Sequence, residues 1–197
     1  MTDRPILFSA EMVRAILKGD KTQTRRVIKP QPPAEAESVS RQLYSQDAPK
    51  NDGAWTWWAG KPQTPITKPL FSPYGAPGGL LWVRETWDRH ASGVDYAADF
   101  AAVSRPQAGP WRPSIHMPRW ASRVTLRITD VRVEWLQDIR EDDARAEGCD
   151  PVIHEDGAID CGTRKTTFAN LWNRINGPGA WEANPWVWVI EFERVKP

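Results

Sequence analysis

The chain has 197 residues, enough for one domain with a generous insertion and a core that needs no disulfide staples. Hydrophobic residues make up 40%, charged residues 26%, and the formal net charge is +1, so the composition is that of a globular protein without a global polyanion-binding signal. No apolar run approaches a membrane span or a signal peptide, and the two cysteines argue against a disulfide framework; the expected setting is cytoplasmic, with no membrane partner.

Ile6-Leu7-Phe8 reads as a strand end. Ser9 offers an N-cap hydroxyl, and Met12, Val13, Ile16 and Leu17 follow at helical spacing until Gly19 ends the helix, which predicts a helix over about 10–18. Residues 29–79 are rich in Pro, Ser, Gln, Asn and Gly and read as an irregular insertion, with Trp55-Thr56-Trp57-Trp58 inside it as a possible cap over a pocket. Leu80–Arg84 reads as a strand followed by Glu85, Thr86 and Trp87. Residues 88–113 are mixed, anchored by Tyr96 and Phe100, and 113–120 form an extended, structured loop because each Pro disfavours helix before it.

Ser122 to Trp135 alternates, but its phase slips at Thr129-Asp130, which predicts two strands or one strand with a bulge. Asp138 to Glu141 has capping-box spacing, and a short helix should run to about Glu147 with Gly148 as its stop. Residues 149–165 form a second insertion-like loop. Phe168, Leu171, Trp172 and Ile175 define a helix ended by Asn176-Gly177, and Pro185 opens a last strand through Phe192 that is buried on both faces at first. Unequal loops joining several strands with helices at the edges suggest an α+β fold built as a small mixed β-barrel.

Charge is uneven along the chain. Residues 105–132 carry six Arg (105, 112, 119, 123, 127 and 132) against Asp130, while residues 134–160 carry ten acids against Arg140 and Arg145. The twelve Trp suit a core and also a base-stacking surface. Cys149, His154 and Cys161 lack a fourth ligand and match no standard zinc spacing, so neither metal nor cofactor is expected.

The segment Gly19-x-Lys21-x-x-Thr24-x-Arg26 begins where the first helix ends, and basic residues there answer the helix dipole. It also carries a chemical possibility. A neutral Lys21 can take the proton of the Thr24 hydroxyl, as in Ser-Lys hydrolytic pairs, with Arg25 and Arg26 as the neighbouring charges. Glu147 closes the short acidic helix and is a second candidate.

This pattern resembles the signature of the ASCH domains, a branch of the PUA-like superfamily. Pro77-Gly78-Gly79-Leu80-Leu81-Trp82-Val83 looks like the family's Gly-Asp-x-Leu-x-Val strand, with Gly79 where Asp is usual. Leu136–Ile139 with the Ala144–Glu147 helix, and the closing Trp188–Phe192 strand, match further segments. The resemblance implies one PUA-like barrel domain over 1–197, with insertions at about 29–79, 88–120 and 149–165. It implies an amidohydrolase that converts N4-acetylcytidine to cytidine and acetate through Lys21, Thr24 and Glu147, with Glu141 as the competing carboxylate. Lys21 would be held neutral and Glu147 protonated, in a pocket largely closed to water. Arg26 or a nearby backbone N–H is the candidate oxyanion donor, and Arg26, Arg84, Glu85, Trp82 and Trp120 are the candidate substrate-binding residues, with Trp87 a further stacking candidate. The partner is then a small nucleoside. The alternative is an RNA-binding or RNA-processing module, in which the Arg-rich stretch tracks phosphates and Trp residues stack on bases.

Overall fold

The computed structural model describes residues 3–42, 53–62, 64–100, 110–150 and 162–195. The fold is mixed α+β, mostly sheet with a few helices. Its main sheet has five strands: β1 (Arg4–Leu7), β2 (Gln23–Val27), β6 (Leu80–Arg84), β9 (Thr125–Trp135) and β10 (Trp186–Val195), in the order β1-β6-β9-β10-β2. Only the β1–β6 pair is parallel. Edges β1 and β2 are not paired to each other among the described residues, so the sheet is open; a guanidinium contact bridges them, Arg26 Nη2 donating to Leu7 O at 2.6 Å.

β10 is an interior strand, between β9 and β2, and its first five residues, Trp186 to Ile190, are all buried. The phase slip in β9 is a bulge: Asp130 opposes Glu191, but Ile128 opposes Phe192, so Thr129 is the extra residue. The core joins Ile6, Val13, Ile16, Leu81, Leu126, Ile128, Trp188 and Ile190 across the sheet.

Helix α1 (Ala10–Lys18) begins at Ser9, whose hydroxyl accepts from Met12 N, and ends at Gly19, which sits at φ 91 where a side chain is disfavoured. Helix α2 (Glu141–Ala146) is capped differently from the spacing-based expectation. Asp138 lies in a preceding 3-10 turn, and Asp143 reaches back to accept from Arg140 N at 3.1 Å. Helix α3 (Arg164–Asn176) ends at Gly177.

The stretch 29–79 is not irregular throughout. It forms a small sheet of β3 (Ser38–Arg41), β4 (Trp55–Ala59) and β5 (Thr64–Pro65), which carries Trp57 into the main core edge-on to Trp186 at 6.1 Å. Trp55 likewise stands edge-on to Trp188 at 6.3 Å. Trp55 and Trp57 are therefore core packing, while Trp58 donates from its indole N–H to Ser40 Oγ at 2.8 Å. Strands β7 (Trp87–His90) and β8 (Gly93–Tyr96) form a hairpin, and the 113–120 loop contains two 3-10 turns, Ser114–His116 and Arg119–Ala121. No helix among the described residues is long and apolar enough to cross a membrane.

Candidate active site

Two residues 126 positions apart meet because of how α1 ends. The reversal at Gly19 sends Asp20 N and Lys21 N back onto Ala15 O. The chain then pairs with the end of α2: Thr22 N donates to Ala146 O at 2.8 Å, and Lys21 and Glu147 form an antiparallel bridge. Gly148 (φ +82) allows the close approach, since a Cβ there would lie 3.3 Å from the Cβ atoms of both Ala15 and Lys21. Gly148→Ala should cost about 1–3 kcal/mol in backbone strain and crowding, read as a lowered midpoint in thermal unfolding; an unchanged midpoint would contradict this local geometry.

Lys21 is 2% exposed and Glu147 5%. Lys21 Nζ donates to Glu147 Oε2 at 2.7 Å and to Glu147 O at 2.8 Å. An ammonium has three donors, so one N–H remains. Glu147 Oε1 accepts from Arg25 Nη1 at 3.4 Å. Arg25 continues the network to Glu134 (3.1 Å) and Asp143 (3.5 Å), and Arg132 meets Glu134, Asp143 and Glu191 from the other side. Gln23 and Arg25 thus face the acidic cluster. Thr24 and Arg26, on the opposite face of β2, face Phe8 and a cavity.

That cavity encloses about 580 Å³. Thr24, Arg26, Lys29 and Glu147 line it together with the aromatic rings of Phe8, Tyr74, Phe168 and Trp172, and Arg25 also reaches it, 5.9 Å from the Phe168 ring. Thr24 is 3% exposed, and its hydroxyl forms no hydrogen bond among the described residues. Lys21 Nζ lies 5.8 Å from the Phe8 ring centroid and the Arg26 guanidinium 5.2 Å, so both cations bracket one wall of this cavity. Lys21, Thr24, Arg26 and Glu147 are therefore brought together. Lys21 is hydrogen-bonded to Glu147, not to Thr24.

The other candidate residues lie elsewhere. Arg84 Nη2 donates to Ile115 O, and its guanidinium sits 5.5 Å from the Trp82 ring, with Arg119 at 5.9 Å. Glu85 is buried in a two-point contact with Arg123, at 3.0 and 3.1 Å. Burial pushes its carboxyl up, and Arg123 opposes this. Trp87 packs with Met117 and Ala121, while Trp120 is 60% exposed, edge-on to Trp87. None of Trp82, Arg84, Glu85 or Trp120 lines the cavity. Glu141 is committed to α3, accepting from Arg164 N at 2.9 Å and Lys165 N at 3.3 Å.

Residue type and spacing alone do not single out the aromatic lining. Phe168 and Trp172, at i and i+4 of α3, carry the signal of ordinary core spacing, and Tyr74 lies in the Pro-rich stretch 29–79. His154 and Cys161 lie outside the described residues; Cys149 is a buried free thiol, pushed up to about 11 by burial and then by the Glu147 charge. Burial also lowers the Arg26 guanidinium from its ordinary value, opposed by Tyr74 and Glu147.

Asp143 gives the network a pH signature. Burial acts to raise its carboxyl, but the Arg140 N–H and the Arg25 and Arg132 guanidiniums outweigh it and hold it below the usual range. A carboxyl lowered by folding contributes stability above its unfolded value and loses it as pH falls through the folded one. The wild type should lose stability on acidification below the ordinary carboxylate range, with a shallower slope in Asp143→Asn. Equal slopes in denaturant unfolding across that range would contradict the assignment.

No family model, curated protein or solved structure matches this chain.

Proposed function

We propose that the protein is an amidohydrolase that removes the N4-acyl group from N4-acetylcytidine or a related N4-acylated cytosine, with Thr24 as nucleophile and Lys21 and Glu147 as base and acid. The observation that carries this reading is that Glu147, bonded to the buried Lys21, lines with Thr24 a cavity walled by aromatic rings. The motif resemblance to the ASCH domains agrees with it, and in that reading the open five-stranded sheet is a PUA-like barrel variant.

The proton count of the pair suits the chemistry. An ammonium beside a carboxylate holds as many protons as an amine beside a carboxylic acid. One proton shift along the 2.7 Å hydrogen bond thus converts the ion pair into the base and acid the reaction needs, with no exchange with solvent. Rotation about Cε–Nζ then turns the amine lone pair to Thr24. Lys21 takes the hydroxyl proton, Thr24 Oγ1 bonds to the acyl carbon, the C–N4 bond breaks, and Glu147 protonates the departing amine. The ion pair is restored with an acyl group on Thr24, which water hydrolyses to the free acid.

The rings of Tyr74, Phe168 and Trp172 suit a planar pyrimidine, taking the place of Trp82 and Trp120 in this role. The RNA-binding reading has less support. Of the Arg-rich stretch, Arg112, Arg119, Arg123, Arg127 and Arg132 are each ion-paired, so the described part offers no free basic stripe. The test is to incubate the pure protein with N4-acetylcytidine and other N4-acyl derivatives and follow cytidine release. Absence of turnover across the series would overturn the proposal.

A further inference from the structure

The Arg26 guanidinium in the cavity wall has no carboxylate at ion-pair distance among the described residues. Arg26 has five N–H donors, yet among the described residues its guanidinium has one hydrogen-bond acceptor, Leu7 O, and no carboxylate within ion-pair distance. Its Nε is buried and unpartnered. Three other arginines differ, although Arg84, outside this cavity, likewise has only a backbone acceptor, Ile115 O, among the described residues. Arg25 meets Glu134, Asp143 and Glu147; Arg123 meets Glu85 and Asp99; Arg132 meets Glu134, Asp143 and Glu191. A charge withdrawn from water is costly unless paired, so a guanidinium left unpaired in a cavity wall points to an anion that arrives with the ligand.

A second cation lies in the same place. Lys29 lines the cavity at an exposed position and enters no ion pair among the described residues. The cavity's carboxylate, Glu147, is already held by Lys21 and Arg25 and cannot serve either. Thr24, Arg26 and Lys29 follow one another along β2 and the chain just beyond it. A ligand that presents its amide to Thr24 and runs along this wall would meet Arg26 and then Lys29.

We propose that Arg26 and Lys29 form a phosphate subsite, and that the substrate is an N4-acylated cytidine 5′-monophosphate in preference to the free nucleoside. This rests on the amidohydrolase reading for the placement of the base. Charge-assisted contacts from a guanidinium and an ammonium fit a phosphate dianion, and the rings of Phe8, Tyr74, Phe168 and Trp172 fit the pyrimidine.

The test compares cytidine, cytidine 5′-monophosphate and cytidine 3′-monophosphate by titration calorimetry, at low and moderate salt, on the wild type and on Lys29→Gln and Arg26→Gln. The 5′-monophosphate should bind roughly tenfold or more tightly than cytidine, with an advantage that shrinks as salt rises. In Lys29→Gln the ratio of the two affinities should fall toward one. Arg26→Gln should do the same, with circular dichroism checking that the β1–β2 bridge is not needed for folding; Lys29 makes no such bridge, so its variant decides if Arg26→Gln fails to fold. Equal binding of cytidine and its 5′-monophosphate, a preference that survives in Lys29→Gln, or an equal gain from the 3′-monophosphate would overturn the subsite. The two readings separate when turnover is measured in parallel. Hydrolysis of N4-acetylcytidine with no gain from a 5′-phosphate overturns the subsite alone. A Lys29-dependent phosphate preference with no hydrolysis of any N4-acyl compound supports the subsite and overturns the hydrolase.

Discussion

Thr24→Ala is expected to lower kcat for N4-acetylcytidine by at least about a thousandfold, because it removes the oxygen proposed to carry the acyl group. Folding should survive. The Thr24 hydroxyl forms no hydrogen bond among the described residues, so its loss strands no buried partner. Thr24→Ser is the matching control: it keeps the oxygen and should retain activity within roughly tenfold of wild type. The pair of variants separates a nucleophile from a packing residue. If Thr24→Ala keeps most of the activity, Thr24 is a wall of the cavity and the covalent step is wrong. If both variants are equally inactive while folded, the methyl group matters more than the oxygen, which the mechanism does not allow.

The second large effect concerns Lys21 and Glu147. Their side chains are 1% and 4% exposed, and each is the main electrostatic partner of the other. Removing one partner of a buried ion pair typically costs about 3–5 kcal/mol, whereas replacing both with apolar groups of similar volume is often nearly neutral. Glu147→Leu strands the Lys21 amine with one backbone carbonyl; Arg25 keeps Glu134 and Asp143 and is affected less. Lys21→Met strands the carboxylate beside Arg25 alone. Each single variant should be strongly destabilised in denaturant unfolding at neutral pH. The double variant should recover much of the loss, with a coupling of at least about 2 kcal/mol. All three should be inactive. Additive losses would mean that the pair is not coupled as its geometry requires.

Local rules made much of this fold legible. Ser9 and Gly19 bracket α1 because a hydroxyl satisfies the first free N–H groups and a glycine tolerates the left-handed turn. The phase slip at Thr129 marks the β9 bulge because strand side chains alternate strictly. The Lys21–Thr24 pattern and the Glu147–Gly148 helix end also stand in the chain, but their meeting depends on a bridge between segments 126 residues apart, which no local periodicity encodes. The same holds for β3, β4 and β5. Their residues look irregular in isolation, and they become strands because Trp55 and Trp57 find Trp188 and Trp186 across the core. Trp82 and Trp120 were plausible stacking residues by type alone. The cavity is lined instead by Tyr74, Phe168 and Trp172, from the loop before β6 and from α3, while Trp82 lies beside Arg84 and Arg119. Arg84, at the end of β6, and Glu85, just beyond it, follow the same logic: their partners Ile115 and Arg123 hold them away from the cavity.

The most direct test of the single site is a crystal structure of Thr24→Ala grown with N4-acetylcytidine. The account predicts the pyrimidine against Tyr74, Phe168 and Trp172, the acyl carbon beside the Cβ of residue 24, and N4 within hydrogen-bonding reach of the Glu147 carboxyl. A nucleoside bound elsewhere on the protein, one with its amide turned away from Glu147, or an empty cavity at saturating ligand would contradict it.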